Sequence, residues 1–356
     1  MKLNKKQKEI VETEKRKVHV VAGAASGKTR LIVERIRFLL DKGEDASKIV
    51  AITFTNNAAL EMYERLGRPS GLFIGTVHSY CNFLLKSNGI DTDTYIEKED
   101  FDELFELIKE NQECINPIDH LIVDEFQDSS SAQIDFFRLL NPKNYMYCYD
   151  HRQAIYSFGE SDIDYILHMQ SEPGITIYEM NENYRNGYNI LQFAKNLLHN
   201  LGADYQDNSI AMRPEDGFVM HTKWSYNNIA DYLLEEEYPY KDWFVLARSN
   251  AEIDVLCDLF SKKNIPYTTF KQGSSTLKEI EKELNSNKVK ILTIHSAKGL
   301  ESPNVLVVNT GRYYNDEERR VFYVAATRAK NLLIWNKIRI EKKKKDKSKV
   351  KMMSWE

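Results

Sequence analysis

Apolar positions recur along the chain in two alternating rhythms. Short runs rich in β-branched and aromatic residues, at 19–22, 49–54, 121–124 and 144–149, are separated by longer stretches in which apolar residues return at helical spacing. Unbroken apolar runs suit strands covered on both faces, and the longer periodic stretches suit amphipathic helices. This pattern predicts a parallel sheet flanked by helices, since parallel neighbours must be joined by a crossover. A second series follows, with strands expected at 218–221, 243–247, 289–294, 305–309 and 332–335. Gly187, the polar stretch 202–209 and Arg213-Pro214 interrupt the alternation around 180–215. The expected organisation is a first α/β unit at 1–182 with a short helical insertion at about 80–118, a second unit at 183–338, and a tail at 339–356. Ligand crevices of such sheets lie at the carboxyl ends of the strands, so a ligand held between the two units is expected.

Composition agrees with two cores. The chain has 356 residues, longer than a single hydrophobic core usually grows, and its 42% apolar and 11% aromatic content suffices for both units, which excludes global disorder. The net charge of −4 conceals an asymmetry: residues 337–356 carry 9 basic against 3 acidic residues, a net of +6, leaving 40 basic against 50 acidic in the rest. A basic tail can hold phosphates, although a solvated chain end is the commoner behaviour. The four cysteines, Cys81, Cys114, Cys148 and Cys257, are widely spaced and match no zinc or disulfide framework. The first 17 residues are charged throughout and no stretch reaches the ~18 apolar residues of a membrane span, so a cytoplasmic protein with no membrane partner is expected.

Two segments carry recognisable chemistry. After the strand expected near residue 20 comes Ala22-Gly23-Ala24-Ala25-Ser26-Gly27-Lys28-Thr29, followed by a helical pattern from Arg30. Small residues at a helix N-terminus let backbone N–H groups surround a phosphate, which makes Ala24, Ser26, Gly27, Lys28, Thr29 and Arg30 candidates for gripping ATP. Lys28 supplies a positive charge and Thr29 a hydroxyl ligand for Mg²⁺. Downstream, the apolar run 121–123 ends in Asp124-Glu125, a second Mg²⁺ ligand and a base for the attacking water.

From residue 3 to about 333 the motifs resemble, in chain order, those of the UvrD/Rep family of superfamily 1 helicases. Leu3-Asn4 with Gln7 resembles the family's adenine-reading glutamine motif. The runs Thr53-Phe54-Thr55-Asn56-Asn57-Ala58-Ala59 and Gly75-Thr76-Val77-His78-Ser79 resemble two segments that touch single-stranded DNA, pointing to Phe54, Thr55, Asn56 and His78. Thr55 and Thr76 also suit the N-caps of the helices that follow. Asp124-Glu125-Phe126-Gln127-Asp128 matches the family's acidic motif, and the segment from Asp150 to Phe158 resembles the next one. There Gln153 would sense the γ-phosphate, and Tyr156 and Phe158 would stack on bases. Asn183-Tyr184-Arg185 resembles the motif whose tyrosine stacks on adenine and whose arginine reaches the γ-phosphate. Thr293-Ile294-His295-Ser296-Ala297-Lys298-Gly299-Leu300-Glu301 brings Thr293 and His295 near DNA and Glu301 to the ribose. In the last motif, 318–329, Arg328 is the candidate arginine finger.

The resemblance implies two tandem RecA-like P-loop NTPase domains with parallel sheets, an α/β fold. Its cofactors would be ATP and Mg²⁺, and its substrate single-stranded DNA or single/double-strand junctions. It implies an ATP-dependent 3′ to 5′ translocase or helicase, with protein partners in repair, replication or defence left open. A nucleic-acid-stimulated ATPase switch within a repair or defence complex would use the same ATP residues. The family usually has Gly at position 25, Lys at 57, Arg-Gly after the aromatic at 158 and an aromatic at 302, where this chain has Ala25, Asn57, Gly159-Glu160 and Ser302. The family's large inserted subdomains have little room here, because the intervals between the His78 and Asp124 motifs and between the Arg185 and Thr293 motifs are 45 and 107 residues. Two helices, at 76–85 and 101–110, are expected in the first interval, and single-strand translocation is expected ahead of processive unwinding.

Overall fold

The computed structural model describes residues 2–97, 101–156, 163–270, 277–311 and 315–337. Strands β1 (Lys17–Ala22), β2 (Ile49–Ile52), β3 (Phe73–Gly75), β4 (His120–Val123), β5 (Asn144–Tyr149) and β6 (Thr176–Met180) form one sheet in the order β3-β2-β4-β5-β1-β6. All its pairings are parallel. A short parallel pair follows, β7 (Glu182–Asn183) with β8 (Ile210–Ala211). The second sheet uses β9 (Phe218–Thr222), β10 (Trp243–Ala247), β11 (Tyr267–Thr268), β12 (Val289–Thr293), β13 (Ser302–Val307) and β14 (Ala329–Asn336), in the order β11-β12-β10-β13-β14-β9 and again all parallel.

The interior strands read as unbroken apolar runs because both their faces are covered: every residue of β2, β4 and β10 is buried. Strands β3, β6, β7, β8 and β11 escaped the apolar pattern. They are short or lie at sheet edges, where half-exposed residues such as Ile177 and Ile210 break the run.

The first interval holds three α-helices among the described residues, Val77–Ser87, Asp93–Glu97 and Phe101–Glu110, with a short 3-10 turn at Gln112–Cys114, so the two expected helices are joined by a third, five-residue one too short to show a helical period. They do not stand off the sheet. Leu84, Leu85, Leu104, Phe105 and Ile108 share one buried cluster with Phe136 and Phe137 of the helix Ser131–Leu139 and with Val50 and Leu121 of the sheet. Each fully buried Leu or Phe contributes about 1.5–3 kcal/mol, so this shortened insertion is part of the core. The expected helix caps are present: Thr55 Oγ1 accepts from Ala58 N at 3.2 Å and Thr76 Oγ1 from Ser79 N at 3.2 Å.

Register decides what faces the space between the sheets. In the first sheet Ile52 pairs with Val123, Val123 with Tyr147, and Val21 with Tyr149. Gly23, Thr53, Asp124 and Asp150 therefore all leave on one carboxyl edge. In the second sheet Ser302 pairs with Ala329, and Ser302 N donates to Arg328 O at 3.0 Å, so Glu301 and Arg328 stand side by side at the amino edge. The expectation of a crevice at carboxyl ends thus holds for the first sheet, whereas the second contributes Glu301 and Arg328 from its amino ends. Among the described residues no helix is long and apolar enough to cross a membrane.

Candidate functional site

The loop after β1 turns through left-handed backbone at Ala25 (φ 57°) and Gly27 (φ 86°), and Gly27 then caps the helix Lys28–Asp41 without a side chain. Glycine tolerates this conformation at little cost, whereas Ala25 holds it at about 1–2 kcal/mol of strain. One side-chain and one backbone hydrogen bond from the β7 region fasten the loop: Asn183 Nδ2 donates to Ala24 O at 3.0 Å and Tyr184 N to Ala25 O at 3.1 Å. Ser26 Oγ is buried with no hydrogen-bond partner, a polar atom waiting inside the loop.

Lys28 Nζ lies 2.8 Å from Glu125 Oε1 and 3.5 Å from Asp124 Oδ1. Burial opposes the lysine's charge, but Glu125 and Asp124 outweigh it and hold the ammonium well above its ordinary range. Burial pushes Asp124 up to about 6 against the pull of Lys28. Glu125 is buried too, yet Lys28 and Lys298 hold it down at about 2. Glu125 sits in left-handed backbone at φ 52°, an unusual conformation for a non-glycine residue and one that recurs at functional sites. The carboxylate pair already gathers one cation, Lys28, so its donor set fits a divalent ion, with Thr29 at the start of the same helix.

A chain of hydrogen bonds crosses from the first sheet to the second. Gln127 Nε2 donates to Glu125 Oε2 at 2.5 Å, Asp150 N donates to Gln127 Oε1 at 3.0 Å, and Gln153 Nε2 donates to Asp150 Oδ2 at 2.7 Å. Arg328 Nη2 then donates to Gln153 Oε1 at 3.1 Å. Full burial and the neighbouring charge of Arg185 push Arg328 down to about 9, so it stays protonated at neutral pH. Arg185 donates from Nε to Glu301 Oε2 at 2.6 Å and from Nη1 to Thr327 O at 3.2 Å, while Lys330 Nζ lies 2.6 Å from Glu301 Oε1. Although burial works against it, Arg185 and Lys330 hold Glu301 at about 2.

At the other side of the loop Gln7 is buried, with Nε2 donating to Ser26 O at 3.1 Å and Oε1 accepting from Asn4 N at 3.0 Å. Asn4 Nδ2 donates to Tyr184 OH at 3.0 Å, so the residue that caps Gln7's helix also holds the tyrosine hydroxyl.

The residues expected at DNA form two groups. Phe54 stacks on Tyr156 with centroids 5.2 Å apart, and Tyr156 is 5.7 Å from His295, so an aromatic cluster spans both sheets. His295 Nε2 is 3.1 Å from Ile155 O. His78 lies apart, stacked on Phe101 of the insertion at 4.6 Å. Thr55 is a helix cap with Asn56 beginning the helix, and Thr293 Oγ1 closes its own turn through Ser296 N at 3.1 Å. Phe158 and the tail 339–356 lie outside the described residues. A cleft of about 1350 Å³ connects Phe54, His78 and Asn56 with Asp124, Glu125 and Lys298.

Lys298 and Asp128 sat inside recognised motifs without an assigned role. In the fold Lys298 crosses from the second sheet to ion-pair with the fully buried Asp128 side chain, donates to Gln153 O at 3.0 Å, and lies 5.0 Å from the centre of the Tyr156 ring. Their charge and their place within motifs were visible, but their pairing is separated by 170 residues.

Comparison with known proteins agrees with this arrangement. The UvrD/REP helicase N-terminal domain model matches residues 3–116 and 97–174, and the UvrD-like helicase C-terminal domain model matches 273–339. The ATP-dependent DNA helicase PcrA of Staphylococcus epidermidis is 28% identical over 368 residues, covering 75% of this chain and 50% of that protein. Its Staphylococcus aureus counterpart is 27% identical over 369 residues with the same coverage. The chain thus spans about half the length of the curated relatives it matches. With both family models matched in order, and with loop, carboxylates, glutamine and arginine converging on one crevice, the chain belongs to the UvrD/Rep family of superfamily 1 helicases.

Proposed function

We propose that this chain is a DNA-dependent ATPase that couples hydrolysis to stepping along single-stranded DNA in the 3′ to 5′ direction. It would do so with two motor domains, 1–182 and 183–338. The observation that carries the reading is the bond from Arg328, ahead of β14, to Gln153, beyond β5, because it ties the second sheet to the carboxylate site of the first.

In this reading Ala24, Ser26, Gly27, Lys28, Thr29 and Arg30 grip the triphosphate, Gln7 reads the adenine edge, and Tyr184 stacks on the base. Thr29 and Asp124 hold Mg²⁺, which neutralises phosphate charge when bound. Glu125, kept ionised by Lys28 and Lys298, accepts a hydrogen bond from the attacking water and orients it for in-line attack. Arg185 and Arg328 stabilise charge on the transferring phosphoryl group. Glu301, now held by Arg185 and Lys330, takes the ribose when Arg185 turns to phosphate. Phe54, Tyr156, Thr293 and His295 contact bases and backbone, with His78, Thr55 and Asn56 along the same track, and Phe158 is a further residue proposed to stack on bases. Because Lys298 touches both Tyr156 and Asp128, movement of the strand alters the acidic motif.

The test compares ATP hydrolysis by wild type and Glu125→Gln, with and without single-stranded DNA. The variant should keep ATP binding and lose about 10²–10⁴-fold in turnover. Wild-type turnover should rise with oligonucleotide length. Turnover independent of length would sink translocation, and unwinding only of a 5′-tailed duplex would sink the polarity.

A further inference from the structure

Outside the recognised motifs, one buried carboxylate joins the two halves of the phosphate-sensing apparatus. Asp207 follows the helix Tyr188–Leu198 in an irregular segment, yet its side chain has no solvent exposure. Its Oδ1 accepts from Arg152 Nη1 at 3.1 Å, from Ser209 N at 2.9 Å and from the Ser209 hydroxyl, and its Oδ2 accepts from Tyr323 OH at 2.9 Å. A carboxylate so buried needs donors on both oxygens, and these donors come from three separate parts of the chain.

Each donor leads to the reaction centre. Arg152 Nε donates to Asp150 Oδ1 at 2.6 Å, and Asp150 Oδ2 accepts from Gln153 Nε2 at 2.7 Å. Tyr323 sits in the helix Asp316–Ala326, whose last turn is continued by Thr327 N bonding Tyr323 O at 3.0 Å and Arg328 Nε bonding Val324 O at 3.0 Å. Arg328 closes the circuit on Gln153. Ser209 packs against the phosphate loop so closely that a Cβ on Gly23 would lie 2.8 Å from its hydroxyl oxygen. Asp207 therefore sets the spacing between the arginine helix, the end of β5 and the first glycine of the loop.

We infer that Asp207, acting through Tyr323 and Arg152, is a positioning residue that holds Arg328 and Gln153 in register over the phosphate loop. It touches no substrate, and its effect rests on the hydrolytic reading above. Tyr323 is the cleaner handle, because Tyr323→Phe removes one hydroxyl and keeps the packed ring.

Tyr323→Phe should lower DNA-stimulated kcat about ten-fold and Asp207→Asn about ten- to a hundred-fold, with KM for ATP changed less than about three-fold, as misplacement of a transition-state group requires. The discriminating measurement is a double-mutant cycle: in an Arg328→Ala background Tyr323→Phe should have no further effect on kcat, because its route to the reaction is already cut. Equal loss of kcat in both backgrounds, or loss of melting temperature with kcat unchanged, would overturn the inference. A wild type without DNA-stimulated turnover would overturn both this and the proposed function. A wild type that turns over as Tyr323→Phe does would overturn this inference alone.

Discussion

Arg328 and Gln153, separated by 175 positions in sequence, meet through a 3.1 Å hydrogen bond from guanidinium to amide oxygen. The bond joins the two sheets, since neither side chain reaches the other if they part, and in the proposed mechanism it would make hydrolysis depend on their approach. Removing the guanidinium in Arg328→Ala should cost about 10³-fold or more in kcat. Arg328→Lys should not restore it, because an ammonium cannot reproduce planar donors to Gln153 and phosphate together. Steady-state ATPase assays on both variants check this, and near-wild-type turnover by the lysine variant would refute it.

Lys298 and Asp128 form a buried ion pair between the sheets. Breaking one side leaves an uncompensated charge, so Lys298→Met should destabilise the protein by about 3–5 kcal/mol. Adding Asp128→Asn should recover a large part of that loss, since no charge is then stranded. Urea denaturation of the two single variants and the double variant measures the coupling, and additive losses would count against a direct pair.

Asp124 is raised to about 6 by burial. A carboxyl raised in the fold binds its proton more tightly there than in the unfolded chain. Its burial cost is therefore present in full above about 6 and relieved as pH falls from 6 towards the ordinary value near 4. Relative to Asp124→Asn, wild type should gain stability over that window. Urea midpoints of the two proteins at intervals from pH 7 to pH 4 follow the difference, and a flat difference would contradict the shift.

Phe54, 41% exposed, faces Tyr156 at a stacking distance, so a base can be taken up against the exposed face. Base–aromatic stacking contributes about 1–3 kcal/mol. Phe54→Ala should accordingly weaken binding of a short single-stranded oligonucleotide about 5- to 150-fold by fluorescence anisotropy. Unaltered affinity would remove Phe54 from the track.

Much of this was legible in the residues. The runs 121–124 and 243–247 announced buried parallel strands because both faces of such strands must be apolar, and β4 and β10 lie there. The loop between β1 and the helix Lys28–Asp41 was legible because its residues are contiguous: small residues, then Lys28 and Thr29, at the junction of strand and helix. The edge strands β3, β6 and β11 were not, because a half-exposed strand of a few residues carries no distinctive pattern. Asp207 was equally silent: in the polar stretch 202–209 it looks like any solvated turn residue, and only the fold buries it under Tyr323 and Arg152.

By itself, then, the order of residues determined which strands are interior and where a loop of small residues leads into a helix, because strand burial and loop composition depend on neighbours a few positions apart. Only the tertiary structure decided that Arg328, ahead of β14, meets Gln153, beyond β5, and that Lys298 pairs with Asp128. Those outcomes depend on strand register and on packing between distant segments, which no local pattern encodes.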